Sequence, residues 1–259
     1  MRHFLEISNL SFSADKEILK SLNWQAQKGQ RWVILGANGA GKSSLIATIF
    51  GINSPALGSS IRIGSKTFGK TNWIEVKKSI SLIGSQLVRN IKGDELVVET
   101  VLSGESAMIN YWGNYEKDKL HKVKAILTEL GIEHLAFSTW SKISQGERQK
   151  VLVARSFMAK PKIMFLDEPC SALDPVARVN FLEFLDTLCA NKKIPLIVMT
   201  THHIEEISPA FTHALVIKNG EVLAQGKIED IVNSKILSQA YNAKCKVTKS
   251  KNSYSLKVL

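Results

Sequence analysis

The sequence has few of the features that mark membrane-spanning or disulfide-bonded proteins. None of its apolar stretches approaches the roughly 20 residues that a helix needs to cross a bilayer. Glu6 interrupts the apolar start of the chain, so no signal-peptide core is recognised. The three cysteines, Cys170, Cys189 and Cys245, are odd in number and widely spaced, which indicates neither a disulfide framework nor a metal cluster. We therefore expect a soluble, cytoplasmic protein of one large domain or two small ones.

Acidic residues are also scarce, above all near residue 259. The chain has 23 acidic residues against 34 basic ones, which gives a formal net charge of +11. Residues 243–259 contain no acid at all, and their five lysines are Lys244, Lys246, Lys249, Lys251 and Lys257. Such a basic tail is either a solvated terminus or a patch for phosphate-bearing partners. We expect the solvated terminus.

Short apolar runs on both sides of a long helical region predict an α/β core. The predicted strands lie at residues 4–8, 18–24, 33–35, 60–63, 80–83, 163–166 and 195–200. The sequence between about 88 and 158 has the character of helices. One predicted amphipathic helix ends at Gly131 and has on one face Leu120, Val123, Leu127 and Leu130. Asn219-Gly220-Glu221 predicts a hairpin between residues 214–218 and 222–225. The predicted domain is 1–242, with a helical subdomain at about 88–158 and the tail at 243–259.

A glycine-rich loop follows the apolar run at residues 33–35. Residues 36–43 read GANGAGKS and fit the phosphate-binding pattern G-x-x-x-x-G-K-S. Glycines let the loop turn tightly, so its N–H groups and the next helix N-terminus face one phosphate. Lys42 is expected to reach the β- and γ-phosphates and Ser43 to hold Mg²⁺. A turn without a ligand is the disfavoured alternative. The residues predicted to bind the nucleotide are Gly36, Asn38, Gly39, Ala40, Gly41, Lys42, Ser43 and Ser44.

A second motif ends in two carboxylates. Residues 163–166 are apolar and precede Asp167 and Glu168, the Walker B pattern that accompanies a P-loop. A buried parallel strand would fix these carboxylates at the sheet edge where ligands gather. Asp167 is expected to hold Mg²⁺ through water, and Glu168 to polarise the attacking water. Alone, the pattern would indicate a strand ending in solvated acids, and the upstream P-loop disfavours that alternative.

Four further motifs accompany the two described above. With them, the chain resembles the ATP-binding cassette (ABC) ATPases over about residues 4–235. Residues 143–147, ISQGE, resemble the signature LSGGQ, and residues 168–174, EPCSALD, match the D-loop. Gln86 lies where the family has its Q-loop glutamine. Residues 201–206, THHIEE, match the switch segment, with His202 in the switch position and His203 beside it. The resemblance implies a P-loop NTPase core with a parallel sheet, an N-terminal antiparallel β subdomain and a helical insert.

The resemblance also implies how the site works. Two cassettes would face head to tail and enclose two ATP molecules, with Ser144 and Gly146 of one subunit capping the γ-phosphate held by the other. His202 would contact that phosphate, and Gln86 would sense Mg²⁺ and water. The implied catalytic residues are thus Glu168, His202 and Gln86, and the implied Mg²⁺ residues are Ser43, Gln86 and Asp167.

Two positions depart from the family pattern. The signature has Gln145 where a second small residue is usual and Glu147 where glutamine is usual. An aromatic residue that stacks on adenine commonly follows the first strand, and Ala14 stands there in this chain. Phe12 is nearby, but we expect it to pack in the core.

Three functions fit this sequence. The preferred one is the ATP-hydrolysing subunit of a transporter whose membrane subunit is a separate chain. The alternatives are a soluble ATPase that acts on nucleic acid, the ribosome or DNA repair, and a cassette for iron–sulfur cluster assembly. The expected cofactors are ATP and Mg²⁺, and the expected partner is a second cassette. The expected location is the cytoplasm, with a peripheral position at the inner face of the membrane as a further option.

Overall fold

A mixed six-stranded sheet carries the residues of the predicted site. The computed structural model describes residues 3–84, 88, 90–106, 109–111, 114, 116–190, 194–251 and 253–259. The strands of this sheet are β3 (Arg31–Leu35), β6 (Ile80–Gly84), β7 (Ile163–Asp167), β8 (Leu196–Thr201), β9 (His213–Lys218) and β10 (Glu221–Lys227). Their order is β10-β9-β3-β8-β7-β6, and all neighbours are parallel except β10 and β9.

A second, antiparallel sheet is formed mainly by the first part of the chain. Its strands are β1 (Leu5–Ser13), β2 (Glu17–Ala26), β4 (Ser60–Ile63) and β5 (Lys66–Thr67), in the order β2-β1-β4-β5. This confirms the predicted antiparallel β subdomain beside a largely parallel core.

The central strands are buried on both faces. Every residue of β3 and β8 is buried, as expected for parallel strands with a layer on each side. Because side chains alternate along a strand, Val33 and Leu35 enter one apolar cluster while Ile34 enters the other. The cluster around Ile34 also takes in the antiparallel sheet, and the cluster around Val33 takes in the helices after β6. The continuous apolar runs in the sequence are thus explained by two cores.

Helices surround this sheet. They are α1 (Lys42–Phe50), α2 (Trp73–Lys77), α3 (Val97–Leu102), α4 (Lys117–Glu129), α5 (Gln145–Met158), α6 (Pro175–Ala190), α7 (Ile228–Ile231) and α8 (Ser234–Tyr241). The predicted amphipathic helix is α4: Val123 and Leu127 are buried in it, and Gly131 follows its end at φ +68°. Within the described residues, no helix is both long and apolar enough to cross a membrane.

The predicted hairpin at Asn219 and Gly220 joins β9 and β10. Both residues have positive φ, 50° and 83°, which suits a two-residue hairpin turn. A Cβ on Gly220 would lie 2.1 Å from the carbonyl oxygen of Ile18, so only glycine fits. The Gly220 N–H donates to the carbonyl of Ala40 at 3.0 Å. The turn therefore supports the loop that follows β3.

The basic segment at residues 243–259 is folded, so the prediction of a solvated terminus is wrong. Strands β11 (Cys245–Lys249) and β12 (Tyr254–Val258) form an antiparallel hairpin. Cys245 and Tyr254 are buried, and Val247 and Leu256 pack against the larger core. The cause is a period-two alternation that places apolar side chains on the inner face and leaves the lysines exposed. The division of the chain at residue 242 stays a prediction.

Candidate nucleotide site

The loop between β3 and α1 has the geometry of a phosphate cradle. Gly36, Gly39 and Gly41 all have positive φ, at 155°, 79° and 106°. A Cβ on Gly36 would lie 2.4 Å from the carbonyl oxygen of Ile217, which excludes any larger residue there. Helix α1 begins at Lys42, directly after the loop, so its N-terminal N–H groups lie beside the same concavity.

Lys42 is held inside this loop. Its side chain is 4% exposed, and its ammonium group donates to the carbonyls of Gly36 at 2.9 Å and Ala37 at 3.1 Å. The same Nζ lies 3.5 Å from Oε1 of Glu168. Burial lowers the pKa of Lys42, while the carboxylates of Glu168 and Asp167 oppose that shift. The site thus keeps a cation in a largely dry place, where an anionic phosphate would be its strongest partner.

The side-chain oxygens of Ser43 and Asp167 lie next to each other in the site. The Ser43 hydroxyl donates to Oδ1 of Asp167 at 3.1 Å, and the Thr200 hydroxyl donates to the same oxygen at 2.6 Å. A hydroxyl, a carboxylate and substrate phosphates are the set with which proteins usually bind Mg²⁺. No cluster of three or more histidine, cysteine or carboxylate side chains suited to a metal occurs among the described residues. A magnesium ion here would therefore need phosphate and water as further ligands.

Glu168 points its carboxylate into the centre of the site. Its φ of 48° lies in the left-handed region, which is strained for a residue other than glycine. Its N–H donates to the Thr200 hydroxyl at 2.9 Å, and this contact helps to hold the unusual backbone. The carboxylate then lies between Nζ of Lys42 at 3.5 Å and Nδ1 of His202 at 3.4 Å. Strain of this kind is typical of functional positions.

His202 follows β8 and reaches the same carboxylate. It is half-buried, whereas His203 is exposed, and their ring centroids are 4.0 Å apart. The structure thus brings together Lys42, Ser43, Asp167, Glu168 and His202. Gln86 lies outside the described residues. A cleft of about 620 Å³ opens beside Ser43, Ser44 and Asp167 and extends to Arg155 of α5.

The signature residues lie in the helical insert, at the start of α5. Ser144 is its N-cap, and the Ser144 hydroxyl accepts from the Glu147 N–H at 3.3 Å. Glu147 closes the capping box: its carboxylate accepts from both the N–H and the hydroxyl of Ser144 at 2.8 Å. These hydrogen bonds, led by the one from the Ser144 N–H, lower the pKa of Glu147. Gly146 lies in the first turn of the helix.

Two residues near the site were not identified from the sequence. Thr200 binds both Asp167 and Glu168, and the only local signal for it is its place at the end of a buried strand. The Tyr241 hydroxyl donates to the His202 carbonyl at 3.1 Å, and nothing in the local sequence predicts this contact. Ala14 is exposed in the β1–β2 turn. Phe12 packs against the core, as expected.

Comparison with known proteins agrees with this geometry. The family described as ABC transporter matches residues 19–171. The chain is 34% identical to the "uncharacterized ABC transporter ATP-binding protein YlmA" of Bacillus subtilis (strain 168), covering 92% of this chain and 90% of that protein. It is 32% identical to the protein named YmeB of Lactococcus lactis subsp. lactis (strain IL1403), which carries the same description, covering 96% of each.

Among solved structures, cbiO1 from Clostridium perfringens, described as part of the ABC transporter complex cbiONQ, shares the fold. Its TM-score is 0.78 at 24% identity, with 92% of this chain and 94% of that chain covered. The predicted fold and family are confirmed. The chain belongs to the ABC transporter family and is an ATP-binding subunit that hydrolyses ATP.

Proposed function

We propose that this chain turns over Mg-ATP at the site built by Lys42, Ser43, Asp167, Glu168 and His202. In this proposal it works at the cytoplasmic face of a membrane and drives a separate membrane subunit. The observation that carries the proposal is the Glu168 carboxylate between Lys42 and His202, beside the Ser43–Asp167 pair. The proposal thus assigns binding, water activation and phosphate contact to neighbouring residues.

Binding begins with Lys42. Its ammonium group donates to the uncharged carbonyls of Gly36 and Ala37, and a nucleotide phosphate would replace them with a charged acceptor. The loop N–H groups and the start of α1 would bind the remaining phosphate oxygens. Ser43 and Asp167 would hold Mg²⁺, which when bound neutralises charge on the β- and γ-phosphates. Gln86 belongs to the proposed Mg²⁺ residues from the sequence resemblance alone.

Hydrolysis then depends on Glu168. In the proposal its carboxylate, held on a strained backbone, polarises the attacking water. His202 would contact the γ-phosphate and keep the attacking geometry. Lys42 lies within 3.5 Å of the same carboxylate, so nucleotide binding would also separate an existing ion pair.

We also propose that two copies of the chain close over ATP. Ser144 is exposed at the N-terminus of the 14-residue helix α5, where N–H groups and the helix dipole favour an anion. A γ-phosphate held by the other copy is the proposed anion. Ser144 and Gly146 would then complete a site that a single copy lacks.

The separate membrane subunit is supported by relatives. The chain aligns over nearly its whole length with relatives named ABC transporter ATP-binding proteins, and cbiO1 is described as part of a larger transporter complex. Nucleic acid remains the second candidate partner because of the exposed lysines of β11 and β12.

The substitution Lys42→Ala tests the phosphate site. We expect it to abolish ATP binding in isothermal titration calorimetry, because the phosphates lose their main counter-cation. The control Lys70→Ala removes an exposed lysine that does not line the cleft beside Ser43 and should bind ATP normally. Hydrolysis by the wild type should stop in excess EDTA and return with MgCl₂. Equal ATP affinity in Lys42→Ala and the wild type would refute the proposed site.

A further inference from the structure

Helix α8 and the β11–β12 hairpin form one unit, which we call the C-terminal clasp (residues 234–258). Two serines of α8 join it to the hairpin. The Ser234 hydroxyl accepts from the Val247 N–H at 2.9 Å, and the Ser238 hydroxyl accepts from the Cys245 N–H at 2.9 Å. Tyr254, on strand β12, is buried in the larger of the two apolar clusters. The clasp is thus fixed to the body of the protein by hydrogen bonds and by apolar packing.

The clasp contacts the switch segment through both of its elements. From α8, the Tyr241 hydroxyl donates to the carbonyl of His202 at 3.1 Å. From β12, the Leu256 N–H donates to Oε1 of Glu205 at 3.2 Å. These contacts join residues far apart in the sequence, directly beside the histidine that reaches Glu168.

The Tyr241 contact is a second support for the peptide that joins His202 and His203. Parallel pairing of β8 with β3 ends at Thr201. Beyond it, the Thr201 hydroxyl accepts from the His203 N–H at 2.9 Å and donates to the buried Glu206 at 2.6 Å. Among the described residues, Tyr241 supplies the side-chain hydrogen bond to the His202 carbonyl. Together with the Thr201 contact, that bond holds the orientation of the peptide next to the Cα from which the imidazole extends.

The hydroxyl of Tyr241 remains a donor at every physiological pH. Burial, assisted by the Glu205 carboxylate, raises the pKa of Tyr241 to about 12. The phenol therefore stays protonated, and its contact with the His202 carbonyl persists. Nδ1 of the same histidine lies 3.4 Å from Oε1 of Glu168.

We infer that Tyr241 is a positioning residue for His202 and that the C-terminal clasp sets the rate of ATP hydrolysis through it. The inference rests on the proposed role of His202. It adds a residue outside the nucleotide site that affects the rate of ATP hydrolysis. Loss of the hydroxyl leaves the phosphate loop intact, so nucleotide affinity is retained. The imidazole then samples more orientations, so fewer bound ATP molecules meet the geometry needed for turnover.

Tyr241→Phe tests this inference in the full chain by steady-state ATPase kinetics. We expect kcat to fall about three- to tenfold, the size that one neutral hydrogen bond supports, with KM changed by less than twofold. The control is Tyr254→Phe, which removes a phenol hydroxyl from the same clasp but leaves the Tyr241–His202 hydrogen bond in place and should retain wild-type kcat. Thermal melting of both variants sets an assay temperature at which each is folded.

The variant His202→Ala separates this inference from the proposed function. If both act through one histidine, adding Tyr241→Phe to His202→Ala lowers kcat no further. Wild-type turnover in His202→Ala would refute the proposed role of His202. A reduced kcat in His202→Ala with unchanged kcat in Tyr241→Phe would overturn the inference alone. The inference would also be overturned if Tyr241→Phe lowered kcat by the same factor in the wild type and in His202→Ala. The same holds if Tyr254→Phe lowered kcat as much as Tyr241→Phe.

Discussion

At the scale of single residues, Glu168 is the most constrained member of the site. Its left-handed backbone is held by Thr200, and its carboxylate contacts both Lys42 and His202. A change to glutamine nearly preserves the size of this side chain while it removes the proposed base. The role of Glu168 in water activation can therefore be tested without disturbing the phosphate loop.

Glu168→Gln should trap two copies around ATP. Hydrolysis stops, so the nucleotide remains in place and continues to join the two subunits. Size-exclusion chromatography with light scattering should report a dimer in saturating Mg-ATP and a monomer without nucleotide. The double variant Lys42→Ala/Glu168→Gln serves as the control and should stay monomeric. A monomer of Glu168→Gln at saturating Mg-ATP would argue against the proposed ATP-enclosing dimer.

Ala14→Tyr should tighten ATP binding. Ala14 is exposed in the β1–β2 turn, and β2 lies against the phosphate loop, since Leu19 would be 3.0 Å from a Cβ on Gly41. Stacking of a base on an aromatic ring contributes roughly 1–3 kcal/mol, which corresponds to about 5- to 160-fold in affinity. Calorimetry with Asp15→Tyr as the neighbouring control measures the gain. Equal affinities for Ala14→Tyr and wild type would mean that adenine lies elsewhere.

At the scale of elements, the hairpin β11–β12 carries an electrostatic cost. Lys246 and Lys257 are directly opposite each other in the antiparallel register, and both are exposed. Like charges in such a pair destabilise a hairpin. Apolar packing of Cys245 and Tyr254 on the inner face offsets this cost, which is why the segment folds despite its composition.

Lys246→Glu should therefore stabilise the protein. It replaces repulsion with an opposite-charge pair across the strands, which is worth about 0.2–1 kcal/mol. The free energy of unfolding is measured by urea denaturation at low salt, and the gain should shrink as salt is added. Lys251→Glu is the control, because Lys251 lies in the turn, outside the strand pairs. An equal gain in that control would assign the effect to net charge.

Local patterns predicted the phosphate loop, the buried strands and the Asn219–Gly220 turn, because each depends on a short stretch of sequence. The hairpin after Cys245 was missed, because its lysines outweighed the alternation of its apolar residues. Thr200 and Tyr241 were missed for another reason. Their partners are 33 and 39 residues away along the chain, so only the folded arrangement brings them together.

At the scale of the whole molecule, the net charge of +11 allows an anionic partner such as nucleic acid. Removal of residues 243–259 is a poor test of such binding, because it would expose the core under Tyr254. Surface substitutions are better suited, since all five lysines of this segment are exposed.

Replacement of Lys244, Lys246, Lys251 and Lys257 by glutamine should leave ATP turnover unchanged. On the transporter proposal, neither this variant nor the wild type binds RNA or duplex DNA usefully near physiological salt. Fluorescence anisotropy at two salt concentrations measures binding, and glutamine at the exposed Lys16, Lys70, Lys78 and Lys124 is the control. Tight binding that only the hairpin variant loses, with a smaller salt slope, would favour a nucleic-acid partner instead.

The position of β3 in the sheet matters for a chain that the ribosome is still synthesising. This strand leads into the phosphate loop and is synthesised early, yet its neighbours are late: Arg31 pairs with Ile197, and Trp32 pairs with His213. The turn at Gly220, which supports Ala40, is later still. A nascent or prematurely terminated chain that contains the loop therefore lacks the strands that shape it. Such fragments are not expected to bind ATP.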